Sequence, residues 1–330
     1  MKSPFVFCFS LVLLSSALGT EPVPYDPLVV AETKIVTETL EVKDAARNRV
    51  LPLRVYLPES KTPAPVILFS HGLGGSRDNN PYLGNHWAKR GYLVVFVQHP
   101  GSDESVWRDL PPSERMAAMK GAASLANFLE RMKDIPLVID TLTKWNTEEG
   151  TNLKGRLDLR HLGMSGHSFG ARTTQAVSGQ IFRVGGASFL EKRITAAVMM
   201  SPSIPKTGSP SEAFGSITIP CLLMTGTNDA GVIDDSTPEQ RQQVFPALSQ
   251  APAWEIVFDK AEHSSFGQRM KTKGNEESGN RYHKSILALT TAFWDATLRG
   301  NSLAKDWLNG NGARTVLEEA DHWERNERTK

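Results

Sequence analysis

The chain has 330 residues, of which 40% are hydrophobic and 22% charged, and its formal net charge is +1 at pH 7. This composition is typical of a globular protein with a substantial apolar core. A near-neutral chain without a run of lysine and arginine has no electrostatic footprint for nucleic acid, so we expect no nucleic-acid partner.

The first nineteen residues have the pattern of a secretory signal peptide. Lys2 supplies a positive charge, residues 5–14 form a short apolar run, and residues 17–19 (Ala-Leu-Gly) are a small-residue cleavage site. An uncleaved anchor helix is the alternative, but the run is short for a stable membrane anchor. We therefore expect residues 20–330 to be exported, to a periplasm or the medium, as a single domain with a polar, frayed tail from about residue 318.

Cysteine use is simple. Removal of residues 1–19 would take Cys8 with it and leave Cys221 as the single cysteine, which excludes an intramolecular disulfide. Cys221 lies in an apolar run, a pattern that indicates a buried small side chain and not a catalytic thiol.

The predicted elements alternate between strands and helices. Alternating polarity at 34–42 and 50–56 predicts an antiparallel hairpin at the sheet edge, and continuous apolar runs predict buried parallel strands at 66–70, 92–97, 162–164, 196–200, 221–224 and 254–258. Helices are predicted at 82–90, 116–142, 168–177, 238–248 and 285–298, with Pro136 near a helix start. The sequence thus predicts an α/β fold: a mostly parallel, doubly wound sheet with helices on both faces.

Two irregular stretches, residues 100–133 and 202–216, interrupt this alternation. Ligands of open α/β sheets bind at the carboxyl ends of the strands, where such loops gather. We expect both stretches to shape a substrate pocket. For residues 202–216, a surface loop without a role in the pocket is an equal alternative.

A G-x-S-x-G motif follows the predicted strand ending near residue 165 and begins the next helix, and it contains Gly166-His167-Ser168-Phe169-Gly170. A strand-to-helix turn of this kind lifts a serine hydroxyl above the sheet, and the tight turn requires glycines. The motif predicts Ser168 as a nucleophile.

A serine nucleophile needs a histidine base, and in this fold the base lies on a loop after a later strand. Three histidines follow Ser168 in the chain. His263 comes directly after the last predicted strand, whereas His283 opens a helix and His322 lies in the polar tail. The placement favours His263.

The base in turn needs an orienting carboxylate. Asp229 lies on the loop beyond the strand at 221–224, where a carboxylate can reach the far nitrogen of His263. Asp234 and Asp235 on the same loop are alternatives for this acid. Asp229 could also be a solvated surface residue without a catalytic role.

An acyl-transfer enzyme also needs backbone amides that stabilise the oxyanion, each contributing ~3 kcal/mol. We expect one from Phe169, after the nucleophile, and one from Leu73, in the glycine-rich loop after the strand at 66–70. His71 is expected to shape this loop and His167 to pack beside the elbow. His99 is a weaker candidate for substrate contact.

The two motifs together resemble those of the platelet-activating-factor acetylhydrolase group; they contain Phe69-Ser70-His71-Gly72-Leu73-Gly74-Gly75-Ser76-Arg77 and Gly166-His167-Ser168-Phe169-Gly170-Ala171. They are also similar to exported dienelactone-hydrolase-like proteins and, more distantly, to bacterial cutinases and polyester hydrolases. The likeness covers roughly residues 34–299 in element order. It implies an α/β-hydrolase fold, with Ser168 as nucleophile, His263 as base, and Leu73 and Phe169 as amide donors.

The chain departs from these families in two places. Dienelactone hydrolases use a cysteine nucleophile where this chain has Ser168. In the acetylhydrolases the acid follows the strand after the nucleophile helix, where this chain has no carboxylate and contains Ser201-Pro202-Ser203-Ile204-Pro205. The second departure favours Asp229, the position used by the dienelactone and polyester hydrolases, and weakens a phospholipid assignment.

These observations predict a serine esterase that acts through an acyl-enzyme on Ser168, with no cofactor and no metal. The expected partner is a small-molecule, lipid or polyester ester, and the oligomeric state is open. One alternative is a peptidase or amidase with the same residues. The other is a non-catalytic binding protein on a hydrolase scaffold.

Overall fold

The computed structural model describes residues 24–182, 188–268, 278–326 and 328. The predicted signal peptide at residues 1–19 lies outside them. The strands are β1 (Val36–Asp44), β2 (Arg49–Leu57), β3 (Ala64–Ser70), β4 (Leu93–Val97), β5 (Leu157–His167), β6 (Ile194–Met200), β7 (Cys221–Asn228), β8 (Ala253–Glu262) and β9 (His322–Arg325). The helices are α1 (Pro81–Lys89), α2 (Pro112–Ala122), α3 (Leu125–Trp145), α4 (Phe169–Val177), α5 (Pro210–Phe214), α6 (Pro238–Gln242), α7 (Val244–Ala247), α8 (Ser278–Leu298) and α9 (Ser302–Asn309).

Within the described ranges, the nine strands form one sheet in the order β1-β2-β4-β3-β5-β6-β7-β8-β9. Neighbouring strands from β4 through β8 are parallel, whereas β1, β2 and β9 run antiparallel to their neighbours. The order and directions confirm the predicted α/β-hydrolase fold with an antiparallel edge hairpin.

Helices cover both faces of the sheet, which explains the continuous apolar runs. All five residues of β4 are buried because alternate side chains enter different cores. Phe96 packs on one face in the cluster that includes Trp87 of α1 and Trp294 of α8. Val95 packs on the other face with Ile135 of α3 and Val177 of α4. Among the described helices, none combines the length and apolar character needed to cross a bilayer.

The helix predicted at 116–142 is two helices, and the prediction that Pro136 lies near a helix start is wrong. Ser124 separates the two helices and caps α3 by accepting a hydrogen bond from the Asn127 amide. Pro136 therefore lies inside α3. A proline there removes a backbone hydrogen bond, but burial of the apolar face of α3 around Ile135 and Val138 compensates for it.

The polar tail predicted to be frayed from about residue 318 contributes an edge strand instead. Residues 322–325 of β9 pair with residues 254–257 of β8. The turn before β9 is fixed by Asp321, whose Oδ1 accepts a hydrogen bond from the Asp259 amide at 2.9 Å and pairs with Arg281 at 2.6 Å. The segment predicted as one helix at 238–248 is divided into α6 and α7, and the short helices α5 and α9 were not predicted.

Candidate active site

Ser168 occupies a sharp turn between β5 and α4, with φ 57° and ψ −116°. A residue other than glycine rarely adopts a positive φ, so the surrounding structure must enforce this backbone conformation. The flanking glycines are required by space, because a Cβ atom on Gly166 would overlap the main chain of Gly170, and one on Gly170 would overlap the Ser70 carbonyl. The turn thus presents the Ser168 hydroxyl at the carboxyl ends of the strands.

The structure brings Ser168, His263 and Asp229 together. His263 directly follows β8, and its Nε2 lies 2.8 Å from Ser168 Oγ. Its Nδ1 lies 2.7 Å from Oδ1 of Asp229, which follows β7. A carboxylate can only accept, so Nδ1 carries the proton and Nε2 is left to accept the hydrogen bond that Ser168 donates.

The two other aspartates considered on this loop do not contact His263 among the described residues. Asp234 Oδ1 instead accepts a hydrogen bond from the Ser236 amide. Asp235 lies at the next position with a left-handed backbone, φ 55°.

Asp229 is fully buried, and Thr225 and Arg241 contact it in addition to His263. The Thr225 hydroxyl donates to Oδ2 at 2.9 Å, and Nε of Arg241 lies 3.1 Å from Oδ1. Burial alone would raise the pKa of the Asp229 carboxyl, but the hydrogen bond with His263 and the charge of Arg241 outweigh it and hold the pKa below its usual value. Asp229 is therefore ionised at neutral pH.

Arg241 also fixes the loop after β6. Its guanidinium donates to the carbonyl oxygens of Ser201 and Pro202 at 3.2 and 3.0 Å, and to that of Asp229 at 2.8 Å. One buried cation therefore connects the loops after β6 and β7. Residues 202–216, predicted to shape the pocket, are joined to the site at this point.

His167, expected to pack beside the elbow, supports His263 from behind. The two rings have centroids 4.9 Å apart, and His167 Nε2–H donates to the His263 carbonyl oxygen at 3.1 Å. Burial, together with the nearby His263, lowers the pKa of His167 to about 3. His167 is therefore neutral and holds the main chain of His263 without adding a charge beside it.

The loop carrying Leu73 lies against the nucleophile and is held by residues 100–107. The Gly74 amide donates to the Ser102 carbonyl at 2.9 Å, and Trp107 Nε1 donates to the Gly74 carbonyl at 2.8 Å. Among the described residues, none accepts a hydrogen bond from the amide of Leu73 or of Phe169. Both amides are therefore unpaired within the described residues, as donors to an oxygen anion would be.

A buried polar network lies beneath this loop. His99 donates from Nδ1 to Asp134 at 2.9 Å and accepts from the Ser70 hydroxyl at Nε2, also at 2.9 Å. Burial lowers the pKa of His99 to about 4, so the ring is neutral. Its complete burial removes His99 as a substrate contact. His71 shapes the loop as expected, because its Nε2 accepts a hydrogen bond from the His99 amide at 3.0 Å.

Arg131 of α3 is part of the same network and is fully buried. Its guanidinium donates to the His71 carbonyl at 2.8 Å and to Ser102 Oγ at 2.9 Å, and it lies 4.4 Å from the centroid of the Phe169 ring. Burial lowers the pKa of Arg131 to about 9, which leaves it a cation at neutral pH.

Sequence reasoning missed Arg241, Thr225 and Arg131. Arg241 and Thr225 carry no local signal, because only the folded chain brings them to Asp229. Arg131 had a signal, since it lies on the same helical face as Phe128 and Ile135, three residues before it and four after it, and both are buried.

Cys221 is buried, and burial raises its thiol pKa to about 12. Over the part of the chain that the structure describes, no three His, Cys, Asp or Glu side chains are grouped so that they could hold a metal ion.

Residues 43–123 match the family model described as platelet-activating factor acetylhydrolase, isoform II. The matched segment contains β2, β3, the loop with Leu73, α1 and β4, and it ends before Ser168. A comparison with curated proteins found no match. The family match confirms the resemblance predicted from the motifs, and it supports a hydrolase of the esterase type.

Proposed function

From the α/β-hydrolase fold and the resemblance to the platelet-activating-factor acetylhydrolase family, we propose that the chain is a serine carboxylic-ester hydrolase. The observation that carries the proposal is the continuous hydrogen-bond chain from Ser168 through His263 to Asp229, with distances of 2.8 and 2.7 Å. Hydrogen-bond contact between a serine, a histidine and an ionised carboxylate is what nucleophilic acyl transfer requires.

In the proposed first step, Ser168 Oγ attacks the ester carbonyl carbon and its proton passes to His263 Nε2. Asp229 accepts the hydrogen bond from Nδ1–H and stabilises the imidazolium that forms. The tetrahedral intermediate then collapses, the carbon–oxygen bond to the alcohol breaks, and His263 returns its proton to the leaving alcohol. The product is an acyl ester on Ser168.

In the second step a water molecule attacks the acyl carbon. His263 takes a proton from this water and gives it to Ser168 Oγ as the acid leaves. The oxygen anion that forms in each step would accept hydrogen bonds from the amides of Leu73 and Phe169. Phe169 is the first residue of α4, where the unpaired amides and the helix dipole favour negative charge.

The proposed substrate is an ester, whether of a small molecule, a lipid or a polyester. We further propose that the protein is a single domain that is exported after cleavage near residue 19. The ester specificity separates this proposal from a peptidase or amidase built on the same three residues.

The proposal is tested with purified protein on p-nitrophenyl acetate, butyrate and palmitate, beside an aminoacyl p-nitroanilide. We expect turnover of at least one ester and covalent labelling by a fluorophosphonate probe. Both should vanish in Ser168→Ala and persist in Ser264→Ala, which alters an exposed serine next to His263.

Two results would contradict the proposal. Cleavage of the anilide without any of the esters would replace the esterase by an amidase. Fluorophosphonate labelling that survives Ser168→Ala would remove Ser168 as the nucleophile.

A further inference from the structure

The two amides proposed to bind the oxyanion come from separate parts of the chain. Leu73 lies on the loop after β3, and Phe169 lies at the start of α4 after β5. A misplacement of about 1 Å between such groups can reduce a rate by about a hundredfold. The oxyanion hole, formed by the Leu73 and Phe169 amides, therefore needs a contact that fixes the position of one segment relative to the other.

The Arg131 guanidinium contacts both segments. It donates to the His71 carbonyl, two residues before Leu73, at 2.8 Å, and its Cζ lies 4.4 Å from the centroid of the Phe169 ring. The first contact is a charge-assisted hydrogen bond and the second a cation–π interaction, and both are strengthened by the complete burial of Arg131.

A further contact fixes the far side of the Leu73 loop. Nε of Arg131 donates to Ser102 Oγ at 2.9 Å, and the Ser102 carbonyl accepts the Gly74 amide at 2.9 Å. The loop is therefore anchored on both sides of Leu73: directly at His71, and through Ser102 at Gly74.

The charge of Arg131 is not explained by an ion pair. The acidic side chains that act on it most strongly are Asp134 and Asp103, and neither pairs directly with its guanidinium among the described residues. Asp134 is paired with Arg47, Arg49 and His99 instead. Desolvating an arginine without a carboxylate partner opposes folding, so a role in the site accounts better for its position than stability does.

We propose that Arg131 is a positioning residue of the oxyanion hole, in which one guanidinium fixes the Leu73 amide through the His71–Gly74 loop and the Phe169 amide through its ring. This inference rests on the proposed esterase function. Among the described residues Arg131 makes no hydrogen bond to Ser168, and it acts through the two segments that it contacts.

The test compares Arg131→Met, which keeps most of the side-chain length but no charge or donor, with Arg131→Lys, which keeps the charge. The steady-state kinetics of p-nitrophenyl butyrate hydrolysis are measured per active site, titrated with a fluorophosphonate. We expect Arg131→Met to lower kcat by about 10- to 100-fold with KM changed by about twofold or less, because the hole acts in the transition state. Arg131→Lys should lie between Arg131→Met and the wild type.

Inhibition by a trifluoromethyl ketone distinguishes a role in the oxyanion hole from a purely structural role of Arg131, because a structural role would leave the inhibition constant per active site unchanged. The ketone forms a tetrahedral oxyanion on the nucleophile, so its inhibition constant should increase across the variants in proportion to the loss in kcat/KM. Arg90→Met is the control, since Arg90 pairs with the buried Asp295 away from the site. This variant should lose stability while keeping wild-type kcat per titrated site.

A wild-type kcat in Arg131→Met, or an unchanged inhibition constant for the ketone, would overturn the proposal. Where Arg131→Met does not fold, Phe169→Leu is compared with Arg172→Met, because the Phe169 ring lies 4.4 Å from Arg131 Cζ and 5.7 Å from Arg172 Cζ. We then expect a loss of kcat in Phe169→Leu and wild-type kcat in Arg172→Met. Wild-type kcat in Phe169→Leu, or an equal loss in Arg172→Met, would refute the role of the Arg131 cation–π contact. If the wild type neither hydrolyses esters nor labels at Ser168, the proposed function fails. If the wild type does both and the Arg131 variants match it, only this inference fails.

Discussion

Replacing Asp229 by asparagine removes the charge that faces His263 and preserves the shape of the side chain. The carboxylate is fully buried and its Oδ1 lies 2.7 Å from His263 Nδ1, so water cannot take over its function. The amide of the variant can donate a hydrogen bond to Nδ1, which favours the tautomer in which Nε2 carries the proton. His263 could then no longer accept the Ser168 proton.

The expected loss can be worked out from this geometry. For charge centres about 4 Å apart and an effective dielectric constant of about 20, the carboxylate stabilises the imidazolium by about 4 kcal/mol. That energy corresponds to about a thousandfold in kcat. The wrong tautomer adds to it, and about ten-thousandfold is the loss typical of this substitution in a serine triad.

The same substitution should also destabilise the fold. Arg241 lies 3.1 Å from Asp229 Oδ1, and both side chains are buried. Removing one partner of a buried ion pair costs about 3–5 kcal/mol, because the remaining charge stays desolvated. The hydrogen bonds from Arg241 to three carbonyl oxygens remain, so we expect the lower end of that range.

The assay measures kcat/KM for p-nitrophenyl butyrate at neutral pH together with urea unfolding, and Asp234→Asn serves as the matched control. Asp234 lies five residues along the same loop and does not contact His263 among the described residues, so its variant should retain kcat/KM within about twofold. A loss of less than about tenfold in Asp229→Asn, or a larger loss in Asp234→Asn, would refute the reasoning.

Three further predictions concern other positions. Gly170→Ala should abolish activity and lower the free energy of unfolding by about 3 kcal/mol or more, because its Cβ would overlap a backbone carbonyl. Gly121→Ala in α2 places its Cβ in open space and should raise the free energy of unfolding by about 1 kcal/mol, measured by urea unfolding. Burial, and secondarily the charge of Glu324, raises the pKa of Glu255 from its ordinary 4.5 to about 9. Between these pH values the folded state binds more protons than the unfolded state, so the free energy of unfolding of the wild type falls as pH rises. Relative to the wild type, the free energy of unfolding of Glu255→Gln should therefore rise across this range by at most about 1.4 kcal/mol per pH unit, as urea titrations at several pH values would measure. Cys221, with its pKa of about 12, should resist iodoacetamide when folded and react in urea, as peptide mass spectrometry would detect. Equal stability of the two alanine variants, a pH-independent gain in Glu255→Gln, or rapid alkylation of native Cys221 would contradict the respective prediction.

The sheet could be predicted from the sequence because its signal is local. The run Leu93-Val94-Val95-Phe96-Val97 is apolar at every position, and such a run belongs to a strand covered on both faces. The glycines around Ser168 similarly mark a turn whose geometry no other residue allows.

Features that depend on distant partners could not be predicted in this way. β9 has the sequence His322-Trp323-Glu324-Arg325, which carries no apolar pattern, and its strand conformation comes from pairing with β8. Position 124 contains an ordinary serine whose role as a cap depends on where α3 begins. Arg241 reaches Asp229 only because α6 packs beside β7, so its contact could not be read from spacing.

The two rims of the sheet also differ in how they resist the addition of a foreign strand. Pairing with β9 occupies the backbone groups of β8 that would otherwise face water at residues 254–257. At the opposite rim β1 is open, but it exposes Glu41 and Lys43, and a charged border of this kind disfavours edge-to-edge association. β9 itself becomes the rim on that side, and it is only four residues long, so one rim is a short strand and the other a charged one, two features that disfavour edge-to-edge pairing.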